Sequence, residues 1–222
     1  MARSMNTRVL IIDDQPLFTM GLTALLVKYN KYNIVGIAAN SQDALLAAEK
    51  EKPRLVIMEI HLGRENAMDL ILELKNINPE AAILVLSSND ERFYSERVLR
   101  LGARGYIMKN APANTVMDAV TTILDGKVYL SENERDRIFQ AMTGGGSRSA
   151  KDWTISLQKL SDRELQVFSL IGKGYGTIEI ASRFNISTKT IDSHKEHIKL
   201  KLHCNTSQEL RQLAIEWTNQ MG

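Results

Sequence analysis

Val9-Leu10-Ile11-Ile12-Asp13-Asp14 sets four apolar residues directly against two carboxylates. The figure returns twice. Leu55-Val56-Ile57-Met58 runs into Glu59, and Tyr106-Ile107-Met108 runs into Lys109. Short apolar runs bounded by polar residues read as buried strands. As parallel strands of one sheet, they would bring two or three acids and one amine to a single crevice at their carboxyl ends. That edge is where open α/β sheets bind ligands.

Outward from these runs, residues 8–125 alternate between apolar stretches and helical periodicity. Strands are predicted at Val9–Ile12, Ile34–Ala38, Leu55–Ile60, Ile83–Leu86 and Tyr106–Met108. Helices are predicted at Pro16–Tyr29, Ser41–Lys50, Ala67–Asn76, Glu91–Leu101 and Asn114–Leu124. Five strands alternating with five helices give an α/β doubly wound, five-stranded parallel sheet with helices on both faces. A further helix begins at Ser131, where Ser131 and Glu134 have capping-box spacing. It fades at Gly144-Gly145-Gly146-Ser147, read as a flexible linker.

The remainder, Leu157–Gly222, reads as a small all-α domain. Ser161 and Glu164 cap a first helix, Thr177–Phe184 is short, Ser187 caps Thr188–Leu202, and Thr206 with Glu209 caps the last. The turn Asn185-Ile186-Ser187 between the middle two fits a helix-turn-helix, whose second helix enters the DNA major groove. In the last helix Leu210, Leu213 and Trp217 form an apolar stripe, expected to face Val167 and Leu170.

Composition narrows the class. The chain has 222 residues, 44% hydrophobic and 24% charged, which is ordinary for globular domains. Residues 1–150 carry 18 basic and 18 acidic residues and residues 151–222 carry 10 and 8. The whole excess of +2 therefore lies in the last third. Nucleic-acid binding must then come from placed residues rather than from a bulk field. One cysteine, Cys204, excludes an intrachain disulfide framework. No run reaches the roughly 18 apolar residues of a membrane helix, and no secretion signal is visible. A cytoplasmic protein without membrane partners is expected.

Clustered carboxylates at Asp13, Asp14 and Glu59 repel one another and call for a cation. The sequence demands no cofactor, but oxygen ligands in this number suit Mg²⁺. Lys109 supplies a fixed positive charge, and Ser87 could hydrogen-bond a phosphoryl oxygen. No nucleophile with an adjacent base is present, so no enzyme is expected and no residue is assigned a catalytic role.

Asp13-Asp14, Glu59, Ser87 and Tyr106-Ile107-Met108-Lys109 together resemble the receiver domain of bacterial two-component response regulators. The resemblance implies that Asp13 and Asp14 are the metal-binding acids, Ser87 and Tyr106 the switch pair, and Lys109 the phosphate-contacting lysine. It also implies a histidine kinase as phosphodonor, a partner that Glu59 puts in question. Glu59 stands where the family carries an acceptor aspartate. Glutamate there could mimic the phosphorylated state, form a silent ion pair with Lys109, or be an engineered change. Proline is missing both four residues past Glu59 and after Lys109, which bears on loop geometry more than on fold.

Leu160-Ser161-Asp162-Arg163-Glu164, Glu179-Ile180-Ala181 and Ser187-Thr188-Lys189-Thr190-Ile191-Asp192-Ser193-His194 resemble the LuxR-type helix-turn-helix. Receiver plus this output domain is similar to the NarL/FixJ subfamily. The resulting organisation is a receiver domain at 1–126, a linker with one helix at 127–156 and a LuxR-type domain at 157–222. Thr188, Lys189 and Thr190 lie at a helix N-terminus that favours phosphate. Lys195, Lys199 and Lys201 could add phosphate contacts. Asp192, Ser193 and Glu196 fall where the family reads base edges. His194, His197, His203 and Cys204 match no standard zinc spacing.

The expectation is a DNA-binding transcription regulator of pseudo-receiver type, phosphorylation-independent, acting as a homodimer on inverted half-sites. The alternative is a protein-interaction regulator acting through a partner rather than by reading DNA.

Overall fold

The apolar runs do form one sheet. In a computed structural model that describes residues 6–63, 65–143, 157 and 159–219, the strands are β1 (Thr7–Ile12), β2 (Tyr32–Ala38), β3 (Leu55–Met58), the short β4 (His61–Leu62) and β5 (Glu65–Asn66), β6 (Ala82–Ser87) and β7 (Gly105–Met108). The five main strands lie in the order β2-β1-β3-β6-β7, and all four pairings are parallel. This is the receiver arrangement that the alternation predicts. Val9 to Ile12 and Leu55 to Met58 are buried along their whole length. That explains why these strands read as continuous apolar runs rather than as alternating ones.

The helices between them are α1 (Pro16–Val27), α2 (Ser41–Glu51), α3 (Leu70–Ile77), α4 (Glu91–Arg100) and α5 (Ala113–Leu124). One core joins Val9, Ile11, Ile57 and Leu84 of the sheet to Leu22 and Leu26 of α1 and Val116, Val120 and Ile123 of α5. Val9 and Ile11 share a face because side chains alternate along a strand.

One prediction needs correction here. The strand expected to reach Ile60 stops at Met58, and α3 starts at Leu70 rather than Ala67. Between them lies a two-rung antiparallel hairpin, His61 opposite Asn66 and Leu62 opposite Glu65. Gly63, at φ 57°, supplies the left-handed residue that its turn needs. The Glu59 N–H still bonds the Ile12 carbonyl of β1 at 2.9 Å, and the chain turns away just after it, where the N–H groups of Ile60 and His61 donate to the Glu59 carboxylate. A local side-chain acceptor competes with the strand.

Helix α6 (Glu132–Thr143) follows, and its capping box is only half formed. Ser131 Oγ caps the Glu134 N–H at 3.1 Å. The Glu134 carboxylate does not turn back to Ser131. Buried at 1% exposure, it instead accepts from Ser95 Oγ of α4 at 2.5 Å and from both ends of the Arg137 fork at 2.8 and 2.7 Å. Ser131 Oγ also donates to Glu91 at 2.5 Å. Helix α6 is thereby tied to α4 through buried polar groups. The chain separates into compact units Met1–Gln140 and Ala141–Gly222, so this helix belongs largely to the first. The predicted glycine linker at Gly144–Ser147 lies outside the described residues.

The second unit contains α7 (Asp162–Gly172), α8 (Thr177–Phe184), α9 (Thr188–Leu202) and α10 (Ser207–Asn219). The Ser161–Glu164 capping box is complete. Glu164 also receives Lys201 Nζ at 2.6 Å, so one buried carboxylate ties α7 to α9. Asn185, at φ 54°, ends α8 in the left-handed region, where asparagine is tolerated. Ser187 then caps α9 through the Thr190 N–H at 3.1 Å. Ser161→Ala should destabilise this unit by about 1 kcal/mol, read as a lower midpoint of its own unfolding transition in a denaturant titration. Among the described residues, no helix is long and apolar enough to cross a membrane.

Candidate functional site

The carboxyl ends of β1, β3, β6 and β7 deliver Asp13, Glu59, Ser87 and Lys109 to one place, as parallel strands require. Three of the four are almost fully enclosed: Asp13 at 4%, Glu59 at 3% and Ser87 at 0% exposure. Lys109 Nζ lies between two carboxylates, 2.6 Å from Asp13 Oδ2 and 3.3 Å from Glu59 Oε2. It also sits 4.4 Å from the centroid of the Phe18 ring. Burial raises the Asp13 carboxyl above its ordinary value, an effect opposed by the Lys109 bond and the Gln15 N–H.

Glu59 uses both carboxylate oxygens. Oε1 accepts from Ser87 Oγ at 2.5 Å, from Ile60 N at 2.7 Å and from His61 N at 3.2 Å. Oε2 accepts from Ser88 N at 3.2 Å and faces Lys109. A hydroxyl, three backbone N–H groups and an ammonium thus surround one anion. Asp13 Oδ1 accepts from Gln15 N at 2.9 Å, and Asp14 Oδ2 accepts from Gly63 N at 2.7 Å.

Tyr106 is wholly buried, and its hydroxyl donates to the Asn89 carbonyl at 2.8 Å. Burial raises its phenol well above the ordinary value. The Asn89 amide reaches Ser87 Oγ at 3.0 Å and His61 Nδ1 at 2.8 Å. Asp90, the next residue, caps α4. Asn89 therefore connects Ser87 and Tyr106 to the helix on which α6 rests. Sequence reasoning missed Asn89, Phe18 and Gln15. For Asn89 and Gln15, a position two or three residues past a strand end was the available signal, whereas Phe18 sits inside α1 and gave none.

On α9, Thr188, Lys189, Thr190, Asp192, Ser193 and Glu196 are exposed, while Ile191 and Ile198 are buried. Lys199 pairs with Glu196 at 2.9 Å, and Lys195 lies 3.9 Å from Asp192 and bonds Thr177 Oγ1. These lysines offset the like charges at i and i+4. The amine of Lys201, expected to add a phosphate contact, lies 2.6 Å from Glu164. The four residues of the zinc-spacing question serve other ends. Burial, then Arg163, lowers the His194 pKa; His197 Nδ1 lies 3.9 Å from Glu164; and His203 ends α9 in the left-handed region. Burial raises the Cys204 thiol.

An acidic pocket with a fixed lysine at the carboxyl edge of a β2-β1-β3-β6-β7 sheet, followed by a helix-turn-helix unit, defines a response regulator with a DNA-binding output domain. The chain belongs to that family: residues 9–121 match the response regulator receiver domain, and residues 158–214 match the bacterial regulatory proteins of the luxR family. It is 30% identical over 210 residues to the oxygen regulatory protein NreC of Staphylococcus aureus strain JH9, covering 94% of this chain and 97% of that one. RcsB from Salmonella enterica serovar Typhimurium, solved bound to the rprA promoter in the presence of phosphomimetic BeF3-, is similar at 25% identity and a TM-score of 0.61, over 94% of this chain and 98% of that chain. A further RcsB structure from Salmonella typhimurium has a TM-score of 0.57 at 25% identity, covering 93% and 97% of the two chains. The chain is a DNA-binding response regulator of NarL/FixJ type.

Proposed function

We propose that this regulator binds DNA without being phosphorylated, with Glu59 as a permanent substitute for the phosphorylated acceptor. The observation that carries the reading is the Glu59 carboxylate itself. It already collects Ser87 Oγ, the Ser88 N–H and Lys109, the kinds of donor a phosphoryl group would take. Ser87 Oγ donates to Glu59 and the Tyr106 hydroxyl to the Asn89 carbonyl, an inward arrangement that supports reading the two as a switch pair already drawn toward the anion.

The silent-ion-pair alternative is less well supported. Lys109 sits closer to Asp13, and four of the five donors around Glu59 are other groups: Ser87 Oγ and the N–H groups of Ile60, His61 and Ser88. Magnesium fits this arrangement poorly. Both oxygens of Asp13 and of Glu59 are already engaged, and the Lys109 ammonium stands where the two carboxylates converge. The same saturation leaves Glu59 no lone pair aimed outward for attack on a phosphodonor, so neither catalysis nor a histidine kinase is required.

DNA contact is assigned to Thr188, Lys189 and Thr190 for phosphate and to Ser193, with Asp192 and Glu196, for base edges. Lys195 and Lys199 stand behind them. RcsB was solved on a promoter, and a homodimer on inverted half-sites is the corresponding reading here. A partner-binding role without DNA draws on one observation, the exposed acids Asp192 and Glu196, 63% and 65% accessible.

Selection of untreated protein on a random duplex pool, followed by a salt titration, separates the two readings. A palindromic site is expected, with log affinity falling against log salt by about 0.9 per neutralised phosphate. Absence of enrichment together with a flat salt dependence would favour the partner-binding role.

A further inference from the structure

At the edge of the sheet opposite the acid pocket, the amino ends of β3, β6 and β7 wall a cavity of about 370 Å³ lined by Arg54, Lys75 and Arg104. The strand register fixes this grouping. Arg54 directly precedes β3 and its carbonyl accepts the Ala82 N–H at 2.9 Å; Arg104 directly precedes β7 and its N–H donates to the Ile83 carbonyl at 2.8 Å. The two arginines therefore flank the start of β6, with two strand spacings, roughly 10 Å, between their backbones.

Lys75 reaches the same space from the last turn of α3. Its amine is held by the Pro79 carbonyl and, at 3.1 Å, by the Ala81 carbonyl. Its stem lies under Gly102, where a Cβ would come within 3.2 Å of Lys75 Cγ. The Arg104 Nη1 atom is anchored on the Gly126 carbonyl at 2.7 Å. Arg54 differs from both, because among the described residues no hydrogen bond or ion pair engages its guanidinium. Glu80 is the one acid in the lining, and Ile123 and Leu124 add an apolar wall.

Three cations facing one acid repel each other. Burial lowers the Lys75 pKa, and Arg104 lowers it further. Among the described residues, none of the three makes a salt bridge. The two anchored cations are preorganised, and the exposed, unengaged Arg54 guanidinium is free to turn onto a ligand that brings negative charge. Guanidinium forks match phosphate oxygens in pairs. The volume falls at the small end of ligand pockets, about 300–1,000 Å³, and suits a small molecule rather than a duplex.

We propose that this cavity binds a small, multiply charged, phosphate-bearing anion. Binding there would touch the segment running from α5 through Gly126 toward α6, at the opposite end of the strands from Glu59.

Calorimetric titration of the full chain with pyrophosphate, at ionic strength held constant with NaCl, tests the site. One saturable site per chain is expected. Arg54→Gln should weaken it about tenfold or more, the cost of a charge-assisted contact, and Arg104→Gln should do the same. Arg54 makes no internal side-chain bond, so its variant should keep the melting midpoint of the unliganded protein. Lys189→Gln, on the exposed face of α9, should leave pyrophosphate binding unchanged. Citrate bound as tightly as pyrophosphate, binding that follows Lys189 instead of Arg54, or heats no larger than those of the salt control would each overturn the proposal.

Discussion

Lys109→Met is expected to destabilise the N-terminal unit by about 3–5 kcal/mol near neutral pH, the cost of leaving buried charge uncompensated. The Lys109 side chain is 8% exposed and the Asp13 side chain facing it 3%. Removing the cation leaves Asp13 and Glu59 confronting each other with no positive charge between them. The loss should depend on pH in a defined direction. The Asp13 carboxyl is raised in the folded protein, first by burial. It therefore holds its proton more tightly folded than unfolded, and stability falls as pH rises from the unfolded value of 3.8 through the folded one. Without Lys109 the folded value rises further and the interval widens. Urea titrations at pH 5 and pH 8 should show the larger deficit at pH 8. Adding Asp13→Asn should recover much of it. An equal loss at both pH values would contradict the ion-pair account.

Gly172→Ala should destabilise the C-terminal unit by about 1–3 kcal/mol and weaken DNA binding with it. A Cβ at Gly172, the last residue of α7, would collide with the Ala214 carbonyl and the Thr218 hydroxyl of α10. One of those obstacles is backbone and cannot rotate away. The two helices meet here over small residues, with Ala214 fully buried and the Phe168 and Trp217 rings 5.3 Å apart beside them. Separating α10 from α7 also loosens the base on which α9 rests. Thermal unfolding of the full chain should show the second unit melting earlier while the first is unchanged. A wild-type midpoint would mean that α10 can shift at no cost.

The fold was legible wherever burial imposes a period. β1 and β3 announce themselves as apolar runs because both of their faces are covered, and the acids just past them follow from strand direction. The helix-turn-helix was legible from capping chemistry, with Ser161, Ser187 and Asn185 each doing what its residue type favours. The β4–β5 hairpin was not legible. It exists because Glu59 captures the backbone after β3, a contact that depends on the pocket rather than on local propensity. The fate of Glu134 was hidden likewise, since sequence spacing predicts a capping box whereas Ser95, distant in sequence, competes for the carboxylate. The α7–α10 contact was half legible. Leu210, Leu213 and Trp217 marked the stripe, but Ala214 and Gly172 set its closest approach, and small residues give no apolar signal. Asn89 was missed because an asparagine after a strand has no distinctive pattern, although its amide and carbonyl link Ser87, His61 and Tyr106.

That link gives Glu59 a route to the rest of the first unit, through Asn89 and the α4 cap to Ser95 and Glu134. On the proposed reading, the anion at Glu59 holds this arrangement without phosphate. The most direct measurement compares the DNA affinity of the untreated full chain with that of Glu59→Gln, which keeps the shape and removes the charge. Glu59→Gln is expected to bind a selected operator about tenfold more weakly, a shift of about 1.4 kcal/mol, and an acyl phosphate donor to leave the wild-type affinity unchanged. Equal affinity of the two proteins, or a wild-type chain that gains affinity on treatment with the donor, would contradict it.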